Sequence, residues 1–396
     1  MNRRSFLRNS SAVAGLGALG IAGCGRRTAT QLPFYEAIGP TPPIRADTDR
    51  IFRVTVCLRP FRLSGPRFDV EHVRDKIVVH NYGHGGSGWS LSWGSAQVAI
   101  GKALEAMNGS RQLAVVGCGA LGLTAATTAQ RAGLRVTIYA KERPPYVRSC
   151  RATGSWTPDS RVALTSAAAP EFPSEWESMA RASFAMYQSY LGVAGNPVEW
   201  TDRYVLSDLS HEQRLAERDK QDHHGFVHYE ERIADLTPKP QDLPPGTHHF
   251  PTKYVRRSTS MTFNIAGYSR QLINDFLIAG GAIETREFHT PQDLASLPER
   301  VIVNCTGYAA RQLWSDETVV PVRGQIGWLI PQEGVNYGLI YNNLNVLGRR
   351  DGIVIQPSAH GEDTGWNDSN EQPDRAEAES GVRELQALYD RMARSG

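Results

Sequence analysis

The feature that most constrains the fold is the stretch LAVVGCGALGLTAATTAQRAGLRVTIYAKE, residues 113–142. A compact apolar segment precedes a Gly-x-Gly-x-x-Gly pattern at Gly117, Gly119 and Gly122, and a helix-like run and a second apolar segment follow. This spacing predicts a β-α-β unit whose glycine turn joins the first strand to the helix. In such a unit the first glycine makes the turn, the second admits a pyrophosphate, and the third lets the helix pack closely on the strand.

The same unit predicts a nucleotide site. The N–H groups that open the helix, around Ala120 and Leu121, would face the phosphates. Glu142 lies at the end of the second strand, about 20 residues beyond Gly122, where an acidic side chain would hold a ribose hydroxyl. The alternative is a glycine turn that binds no nucleotide. The unit alone does not distinguish FAD from NAD.

Length and charge narrow the class of protein. A chain of 396 residues is long enough for two structural domains within one folded unit. The net charge of +2 argues against a nucleic-acid partner, and beyond the N-terminus no apolar run is long enough to span a bilayer. The cysteines beyond the N-terminus lack metal-ligand spacing, so no metal site is expected. Two of them, Cys118 and Cys305, are expected to be buried small residues.

The N-terminus has the pattern of a targeting segment. Arg3 and Arg4 precede an apolar, glycine-rich stretch at 12–23, which resembles a twin-arginine export signal. The segment IAGC ends at Cys24 and resembles a lipoprotein processing box. We therefore expect a signal over residues 1–24 and an exported protein, periplasmic or anchored to the membrane by a lipid on Cys24. The alternative to an export signal is a short basic start before a disordered tail. The alternative for Cys24 is a spare cysteine that carries no lipid.

That export route carries folded proteins, so a tightly bound cofactor is expected. Residues 25–50 are rich in Thr, Pro and Arg without periodicity and predict a linker. The segment FRVTVCLRPFRL, residues 52–63, predicts a strand with an abrupt turn at Pro60.

A glycine-rich loop precedes the nucleotide unit. HNYGHGGSGWSLSWG, residues 80–94, places Gly85, Gly86 and Gly88 among aromatic and hydroxyl side chains, and a helix-like run follows. The composition is typical of a loop that lets backbone approach a ligand, although a plain structural turn would show the same glycines. Its place before the fingerprint needs an explanation.

Several segments together resemble the D-amino acid oxidase family of FAD flavoproteins. They are YAKERPPYVRSCRATGSWTP after the fingerprint, with Ala152, Gly154, Trp156 and Pro158, then VIVNCTG and VRGQI, and above all LRPFR and the glycine loop. In that family the fingerprint opens the chain and the last two segments close it. The reversed order predicts a circular permutation, which is tolerated when termini are close and exposed. A duplication is the alternative, but no second copy of either motif appears.

The resemblance implies an α/β fold with a Rossmann-like FAD-binding domain and a second, α+β substrate domain on a mostly antiparallel sheet, in permuted order. The expected boundaries are 51–160 for the FAD-binding domain, 161–300 for most of the substrate domain, 301–325 for a return to the first domain, and 326–396 for the remaining sheet and closing helix.

The resemblance also implies the cofactor, FAD, and the residues around it. Gly117, Gly119 and Gly122 would line the pyrophosphate, with Lys141 and Glu142 at the adenosine ribose. Along the rest of the cofactor would lie Ser149, Thr153, Gly154, Ser155, Thr306 and Gly307. The glycine loop would wrap the flavin edge through Gly85, Gly86, Gly88, Trp89 and Ser90.

The substrate residues follow from the same resemblance. Arg59 matches the arginine that forks the substrate carboxylate, a geometry that suits a planar guanidinium. Tyr341 matches the first of two active-site tyrosines, whereas the second falls on Asn345, with Tyr337 as a possible substitute. Ser87 replaces a flavin-loop tyrosine. These departures leave the substrate open, and Tyr341 as an aromatic without substrate contact is the alternative for that residue.

The expected function is FAD-dependent oxidation of the C–N bond of a D-amino acid or related amine to an imine, with O₂ as acceptor and H₂O₂ as product. In the family, positioning does most of the catalysis and no protein base is required. Two alternatives remain open: a membrane-tethered dehydrogenase that uses a quinone or protein acceptor, and a flavin-bearing binding or assembly protein without turnover. The sequence does not indicate an oligomeric state.

Overall fold

The computed structural model describes residues 41–395. The export signal, Cys24 and residues 25–40 of the predicted linker lie outside the described residues. Within residues 41–395, no helix is both long and apolar enough to cross a membrane.

The described chain contains both helices and strands, which alternate singly only over residues 92–221. The helices are α1 (Ser92–Ala106), α2 (Ala120–Arg131), α3 (Phe172–Gln188), α4 (His211–Gln221), α5 (Ile265–Ile278), α6 (Ala310–Leu313) and α7 (Arg375–Ser395). The strands are β1 (Ile51–Arg62), β2 (Val70–Val73), β3 (Lys76–His80), β4 (Gln112–Val116), β5 (Arg135–Ala140), β6 (Val198–Ser207), β7 (Gln241–Leu243), β8 (Tyr254–Phe263), β9 (Ala282–Thr285), β10 (Val301–Asn304), β11 (Val319–Leu329), β12 (Gly338–Tyr341), β13 (Leu344–Arg349) and β14 (Gly352–Pro357).

The first sheet has six strands in the order β2-β3-β10-β4-β5-β9. Its strands run parallel except for the antiparallel pair β2 and β3. The predicted β-α-β unit is confirmed as β4, α2 and β5. Near-continuous apolar strands such as β4 are typical of a parallel sheet covered on both faces, and Leu113 and Val115 are fully buried in a core shared with α1 and α2.

The second sheet has eight strands in the order β1-β11-β14-β13-β12-β6-β8-β7. Every pairing is antiparallel except that of β12 with β6. The amphipathic helix α7 covers one face, where Leu385 and Leu388 are buried against the sheet. The predicted combination of a Rossmann-like sheet with a mostly antiparallel sheet is confirmed.

The predicted turn at Pro60 is wrong. β1 continues through Pro60, which lies opposite Pro321 on β11. β1 is an edge strand, and an edge strand tolerates a residue that lacks an N–H donor. β1 therefore belongs to the eight-stranded sheet, although residues 51–160 were assigned to the FAD-binding domain.

Three other segments differ from expectation. β9 joins the six-stranded sheet from within residues 161–300, and β11, which begins within 301–325, joins the eight-stranded sheet. Residues 41–50, the last part of the predicted linker, pack on the second sheet, where Ile44 and Ala46 are buried. The composition, rich in Thr and Pro, predicts a linker and gives no sign that Ile44 and Ala46 pack on a sheet.

The glycine loop lies beside the fingerprint despite its earlier place in the chain. β3 pairs with β10, which pairs in turn with β4, so the loop after His80 emerges at the same edge as the turn after Val116. Helix α1 packs on α2, and a turn with positive φ at Asn108 and Gly109 leads into β4. The two motifs meet in space.

Candidate cofactor and substrate site

A cavity of about 1160 Å³ lies between the two sheets. One wall is formed by the carboxyl ends of β4, β5 and β10, the edge at which ligands of open α/β sheets bind. The other wall comes from β1, β11, β13 and β14 of the eight-stranded sheet. The glycine loop and the segment after β5 close the space between them.

Most of the site residues expected from the sequence line this cavity. They are Arg59, Gly85, Gly86, Gly88, Trp89, Gly117, Gly119, Ala120, Leu121, Lys141, Glu142, Ser149, Thr153, Gly154, Ser155, Thr306 and Gly307. Four expected residues do not line it, namely Ser87, Ser90, Gly122 and Tyr341.

The nucleotide end is built on the start of α2. A Cβ at Gly122 would overlap the carbonyl oxygen of Gly117 and lie 2.8 Å from its carbon, so only glycine lets the helix approach β4 this closely. Gly122, the third glycine, therefore serves helix packing and does not itself line the cavity. At the helix start, the N–H of Ala120 donates to the Ser149 hydroxyl at 3.1 Å. The positive end of α2 faces the cavity and suits an anionic group.

Lys141 and Glu142 lie at the rim of the nucleotide end. The Lys141 ammonium is 2.6 Å from a carboxylate oxygen of Glu287, on the segment that follows β9. This contact raises the pKa of Lys141 and lowers that of Glu287. Because Lys141 is already paired and exposed, Glu142 is the more available group for a ribose hydroxyl. The segment around Glu287 was not predicted to take part.

The segment 149–155 is fixed to both walls. The Trp89 indole donates to the carbonyl oxygen of Ser149 at 2.8 Å, and the Thr153 hydroxyl donates to the Gln356 side-chain oxygen at 2.5 Å. The carbonyl oxygen of Gly154 accepts from the N–H of Phe263 at 2.7 Å. Arg203 donates to the Ser155 hydroxyl. These contacts hold the segment across the middle of the cavity.

Arg59 lies at the substrate end, half-buried on β1. Its Nη1 donates to the carbonyl oxygens of Val322, at 3.4 Å, and Arg323, at 3.1 Å. A Cβ at Gly324 would lie 2.6 Å from the Arg59 Cζ, so the guanidinium rests directly on that glycine. Burial lowers the pKa of Arg59 to about 10, with the charge of Arg161 as the next cause. The side chain stays cationic at neutral pH and has no carboxylate within 4 Å among the described residues.

Ser87 and Ser90 are structural residues rather than site contacts. Both are buried, and neither lines the cavity. The Ser87 hydroxyl donates to the carbonyl oxygen of Ser160 at 3.0 Å, and the Ser90 hydroxyl accepts from the N–H of Thr157 at 2.8 Å. The expectation that Ser87 contacts the substrate is therefore wrong, because its side chain points into the protein.

The glycine loop also contributes His84. Its ring lines the cavity, is hydrogen-bonded through Nε2 to the Ser95 hydroxyl at 2.7 Å, and leaves Nδ1 buried without a partner among the described residues. Burial lowers the pKa of His84 to about 3. The imidazole is thus neutral and offers a hydrogen-bonding nitrogen rather than a charge.

Tyr341 lies outside the cavity, so the expectation that it contacts substrate is wrong. Its hydroxyl accepts from Nη1 of Arg391 on α7 at 2.9 Å, and its ring packs on the cluster beneath that helix. Asn345 on the next strand lines the cavity, and its Oδ1 is buried without a partner among the described residues. Side chains alternate between the faces of a sheet, so only one of the two can reach the site.

Sequence reasoning missed Gly324, Gln356 and Arg161 as parts of the substrate end. Gly324 stands in the quoted segment VRGQI, so that motif was the available signal. Arg161 gave no signal, because its position depends on a left-handed backbone conformation with φ of +49°. Cys118 and Cys305 are buried as expected, with 2% and 6% of their surface exposed.

The cavity fits FAD. A volume of about 1160 Å³ exceeds the range of roughly 300–1000 Å³ usual for small-molecule pockets, so it has room for a dinucleotide and a substrate. The helix start at Ala120 faces one part, and the acidic Glu142 lies near it. The buried Nδ1 of His84, which has no partner among the described residues, lies in the wall. An extended ligand with a diphosphate and a polar ring system would satisfy these groups.

The comparisons with known proteins agree with this site. Residues 112–394 match the family model of the FAD dependent oxidoreductases, DAO. A D-amino-acid oxidase from Rubrobacter xylanophilus is 26% identical over 288 residues, covering 70% of this chain and 77% of that protein. A D-amino-acid oxidase from Streptomyces coelicolor is 28% identical over 290 residues, covering 71% and 79%.

The fold has a counterpart among solved structures. The L-proline dehydrogenase from P. horikoshii matches with a TM-score of 0.50 and 14% identity, covering 71% of this chain and 78% of that one. This likeness concerns the fold alone. The family match spans more than half of the chain and includes the nucleotide end of the cavity. The protein is therefore an enzyme of the DAO family of FAD-dependent oxidoreductases, with FAD as its cofactor.

Proposed function

We propose that this protein oxidises the carbon–nitrogen bond of a D-amino acid or a related amine to an imine. The observation that carries the proposal is Arg59, a half-buried cation at the substrate end of an FAD-sized cavity with no carboxylate partner in the described chain. Two relatives named D-amino-acid oxidase support the same substrate class.

Arg59 would bind the substrate carboxylate. Its Nη1 is occupied by two carbonyl oxygens, which leaves Nε and Nη2 as donors for two parallel hydrogen bonds. A carboxylate there also offsets the cost of burying the cation. Holding one end of the substrate rigidly fixes the orientation of its α-carbon, and orientation of this kind accounts for a large part of many rate enhancements.

Asn345 would bind the amino group. Its Oδ1 is a buried acceptor that lines the same cavity, and a neutral amine has N–H donors to offer. With the carboxylate on Arg59 and the amine on Asn345, the substrate is held at two points.

The reaction removes two electrons and two hydrogens from the substrate. Bound FAD would supply the acceptor for the α-hydrogen and its electron pair. The nitrogen loses a proton to solvent as the carbon–nitrogen double bond forms. His84, with a pKa of about 3, is too weak a base to hold that proton at neutral pH.

The test is a flavin-reduction screen. Purified holoprotein is mixed without oxygen with D- and L-amino acids and amines, and the flavin absorbance is followed. Bleaching by D-amino acids or amines is expected, and Arg59→Gln should slow it at least tenfold for substrates that carry a carboxylate. An absence of bleaching with every amine and amino acid overturns the proposal. Spectral shifts without bleaching identify a binding protein instead.

For the electron acceptor we propose O₂, with H₂O₂ as the product. Peroxide yield in air, measured against substrate consumed, tests this step. A yield near one molecule per imine is expected. A low yield with fast turnover on a quinone analogue would instead identify a dehydrogenase.

We also propose that the protein is exported and anchored by a lipid on Cys24. The support is the sequence pattern of residues 1–24, which lie outside the described structure. Cell fractionation of the full chain beside Arg3→Lys/Arg4→Lys and Cys24→Ser variants is the test. Export should fail in the first and membrane retention in the second, and an unchanged distribution of both variants contradicts the proposal.

The order of motifs we attribute to a circular permutation. The family match begins at residue 112, the first residue of β4, whereas LRPFR and the glycine loop precede it. The proximity of residues 42–44 to α7 supports a former connection there, since Tyr337 donates to the Pro42 carbonyl oxygen at 2.6 Å and is hydrogen-bonded to Tyr389 at 3.0 Å.

A further inference from the structure

We propose that Arg161 binds a second anionic group of the substrate, so that the preferred substrate is an amino acid or amine with two carboxylates. The preference for a substrate with two carboxylates rests on the proposed function, whereas the binding of dicarboxylates at Arg161 does not. Arg161 follows Ser160 in the turn after the segment RATGSWTP and lines the cavity together with Arg59 and Gly324.

Two positive charges meet at this end of the cavity. Arg59 and Arg161 are both half-buried, and the charge of Arg161 contributes to lowering the pKa of Arg59. Nε and Nη2 of Arg161 donate to main-chain oxygens, those of Glu362 at 2.6 Å and Gly361 at 3.1 Å. Carbonyl oxygens satisfy donors but do not neutralise a cation. One carboxylate cannot balance two guanidinium groups, whereas two carboxylates can.

Two acidic side chains lie nearby, and neither contacts Arg161 directly. Oε2 of Glu362 is buried without a hydrogen-bond partner among the described residues and lies 3.6 Å from Nε2 of His228, whereas Asp363 is hydrogen-bonded to the His223 ring at 2.8 Å. Both carboxylates moderate the charge of Arg161 from a distance, since they raise its pKa while burial lowers it. Neither forms an ion pair with Arg161 within 4 Å.

A recess of about 150 Å³ joins the two arginines. Gln356, Ser358 and Thr364 also line it and provide neutral hydrogen-bonding groups. The two acidic side chains in its wall, Asp368 and Glu377, lie at 3.9 Å and 3.0 Å from the Arg323 guanidinium. Since a water molecule takes roughly 30 Å³, the recess has room for a short side chain that ends in a carboxylate.

The backbone holds Arg161 in place at a cost. Its φ of +49° is a left-handed conformation that is strained for a residue with a side chain, and such strain gathers at functional sites. The glycine loop enforces it. A Cβ at Gly85 would overlap the Arg161 carbonyl oxygen, and the N–H of Gly86 and the hydroxyl of Ser87 both donate to the Ser160 carbonyl oxygen at 3.0 Å.

The glycine loop therefore has a second role here. Three of its glycines line the cavity, and its hydrogen bonds to the Ser160 carbonyl oxygen fix the turn that carries Arg161. The rival explanation is that Arg161 only clamps residues 361–362. Guanidinium has five N–H donors, and three are used, two by the carbonyl oxygens and one by the Ser160 hydroxyl at 3.4 Å, which leaves two for a ligand. The two explanations differ in what happens to neutral substrates when the arginine is removed.

The experiment compares acidic substrates with their amides. Initial rates are measured for D-aspartate and D-glutamate against D-asparagine and D-glutamine, in the wild type, Arg161→Asn and Arg161→Lys. Asn is chosen because it tolerates a positive φ. Arg383→Gln, on the exposed face of α7, is the matched control for loss of an arginine. Flavin content and thermal unfolding verify that each variant is folded.

The wild type should favour the acids over the amides at least tenfold in kcat/KM. Arg161→Asn should bring this ratio within threefold by lowering the rates of the acids alone, and Arg161→Lys should restore part of it. A wild-type ratio near one, or an equal fall for acids and amides in Arg161→Asn, overturns the inference and leaves the proposed function intact.

A binding measurement separates this inference from the proposed function. The flavin absorbance of the holoprotein is titrated with malonate and succinate and, separately, with acetate and propionate. The dicarboxylates should bind at least tenfold more tightly, and the difference should vanish in Arg161→Asn. If no substrate reduces the flavin, this titration alone decides the role of Arg161. Equal binding of both classes in the wild type contradicts it.

Discussion

The guanidinium of Arg59 rests on the α-carbon of Gly324, so closely that a Cβ at residue 324 would lie 2.6 Å from the Arg59 Cζ. The two residues lie on paired strands, the edge strand β1 and its neighbour β11, and the carbonyl oxygens of Val322 and Arg323, which precede Gly324, accept from the same Nη1. A small residue on one strand thus sets the position of the proposed carboxylate-binding group on the other. This relationship makes the role of Arg59 testable without removing the arginine.

Gly324→Ala should displace Arg59 while its charge remains. We expect kcat/KM for a carboxylate substrate to fall at least tenfold, about 1.4 kcal/mol of transition-state stabilisation, with unchanged FAD content. Steady-state kinetics and flavin absorbance measure the two effects. Gly101→Ala in α1 is the control, since its Cβ would meet nothing within 4 Å and alanine favours a helix by about 1 kcal/mol. Equal kinetics for the two variants would contradict the assigned contact.

Asn345→Leu should separate binding from stability. Removing a buried acceptor that has no partner among the described residues costs the fold little, so thermal unfolding should shift upward or stay constant. Loss of a hydrogen bond to the substrate amine should lower kcat/KM by about tenfold, in line with ~1.5 kcal/mol for such a bond. Differential scanning calorimetry and kinetics are the measurements. A variant that loses stability but not activity would assign Asn345 to the fold.

Tyr341→Phe provides the contrasting result. Its hydroxyl contacts Arg391 of α7 and not the cavity, so the variant should keep kcat/KM within about twofold of the wild type. The lost contact is exposed and should change the free energy of unfolding by no more than about 0.5 kcal/mol. A fall in activity comparable to that of Asn345→Leu would place Tyr341 back in the site.

Asp159 predicts an unusual pH dependence of stability. Burial, with a hydrogen bond to Glu230 as the next cause, raises its pKa from 3.8 to about 8. Between these values the folded protein binds a proton that the unfolded chain has released, so the free energy of unfolding falls as the pH rises from about 4 to 8. Asp159→Asn keeps the acceptor for the Tyr229 N–H and mimics the protonated form. It should stabilise the protein at pH 8 by at least about 1 kcal/mol and by little at pH 4.

Urea unfolding at the two pH values measures this effect. Glu175→Gln, on the exposed side of α3, is a control for removal of one acidic charge and should show no such dependence.

Asp159, His228 and Glu230 place their ligand atoms within 4.8 Å of one another. Repeating the unfolding with EDTA and with added zinc or manganese tests for a bound cation, which would instead make the wild type the more stable protein at pH 8.

The parts of the fold that could be predicted are those set by local sequence. The turn at Gly117, the close packing at Gly122 and the start of helix α2 follow from spacing within a dozen residues, and the structure shows all three. Helices such as α5 and α7 follow from an apolar period of 3.6. The carboxyl ends of parallel strands fix where the cavity lies.

The parts that could not be predicted depend on contacts between distant residues. Ser87 turns away from the cavity because Ser160, far along the chain, offers a carbonyl acceptor. In the hairpin of β12 and β13, Tyr341 pairs with Leu344 and Asn345 pairs with Ile340, so alternate positions face opposite sides of the sheet. An alignment error of one residue there exchanges every side chain between the faces. Arg161 depends on a positive φ that no residue type specifies.

The proposed permutation predicts that the chain tolerates a return to the other order. A variant would begin at Gln112, run through residue 395, continue by a Gly/Ser linker into Thr41, and end at Met107. Tyr389 of α7 lies beside residues 42–44 through Tyr337. The helix extends about 9 Å beyond Tyr389, a gap that about eight linker residues can span. The turn that is cut, Asn108–Gly109, is exposed.

Because the same contacts form in either order, only loop-closure terms change, and these amount to about 1 kcal/mol. We expect the rearranged protein to bind FAD at full occupancy, to keep kcat/KM within a few-fold, and to unfold within about 5 °C of the parent. Absorbance, kinetics and calorimetry measure these properties. A matched chain cut inside α1, between Ala99 and Ile100, should fail to bind FAD, since it separates two buried positions of one helix. If the chain cut at Asn108–Gly109 fails in the same way, the connection between α1 and β4 is itself part of the site, and the two orders are not equivalent.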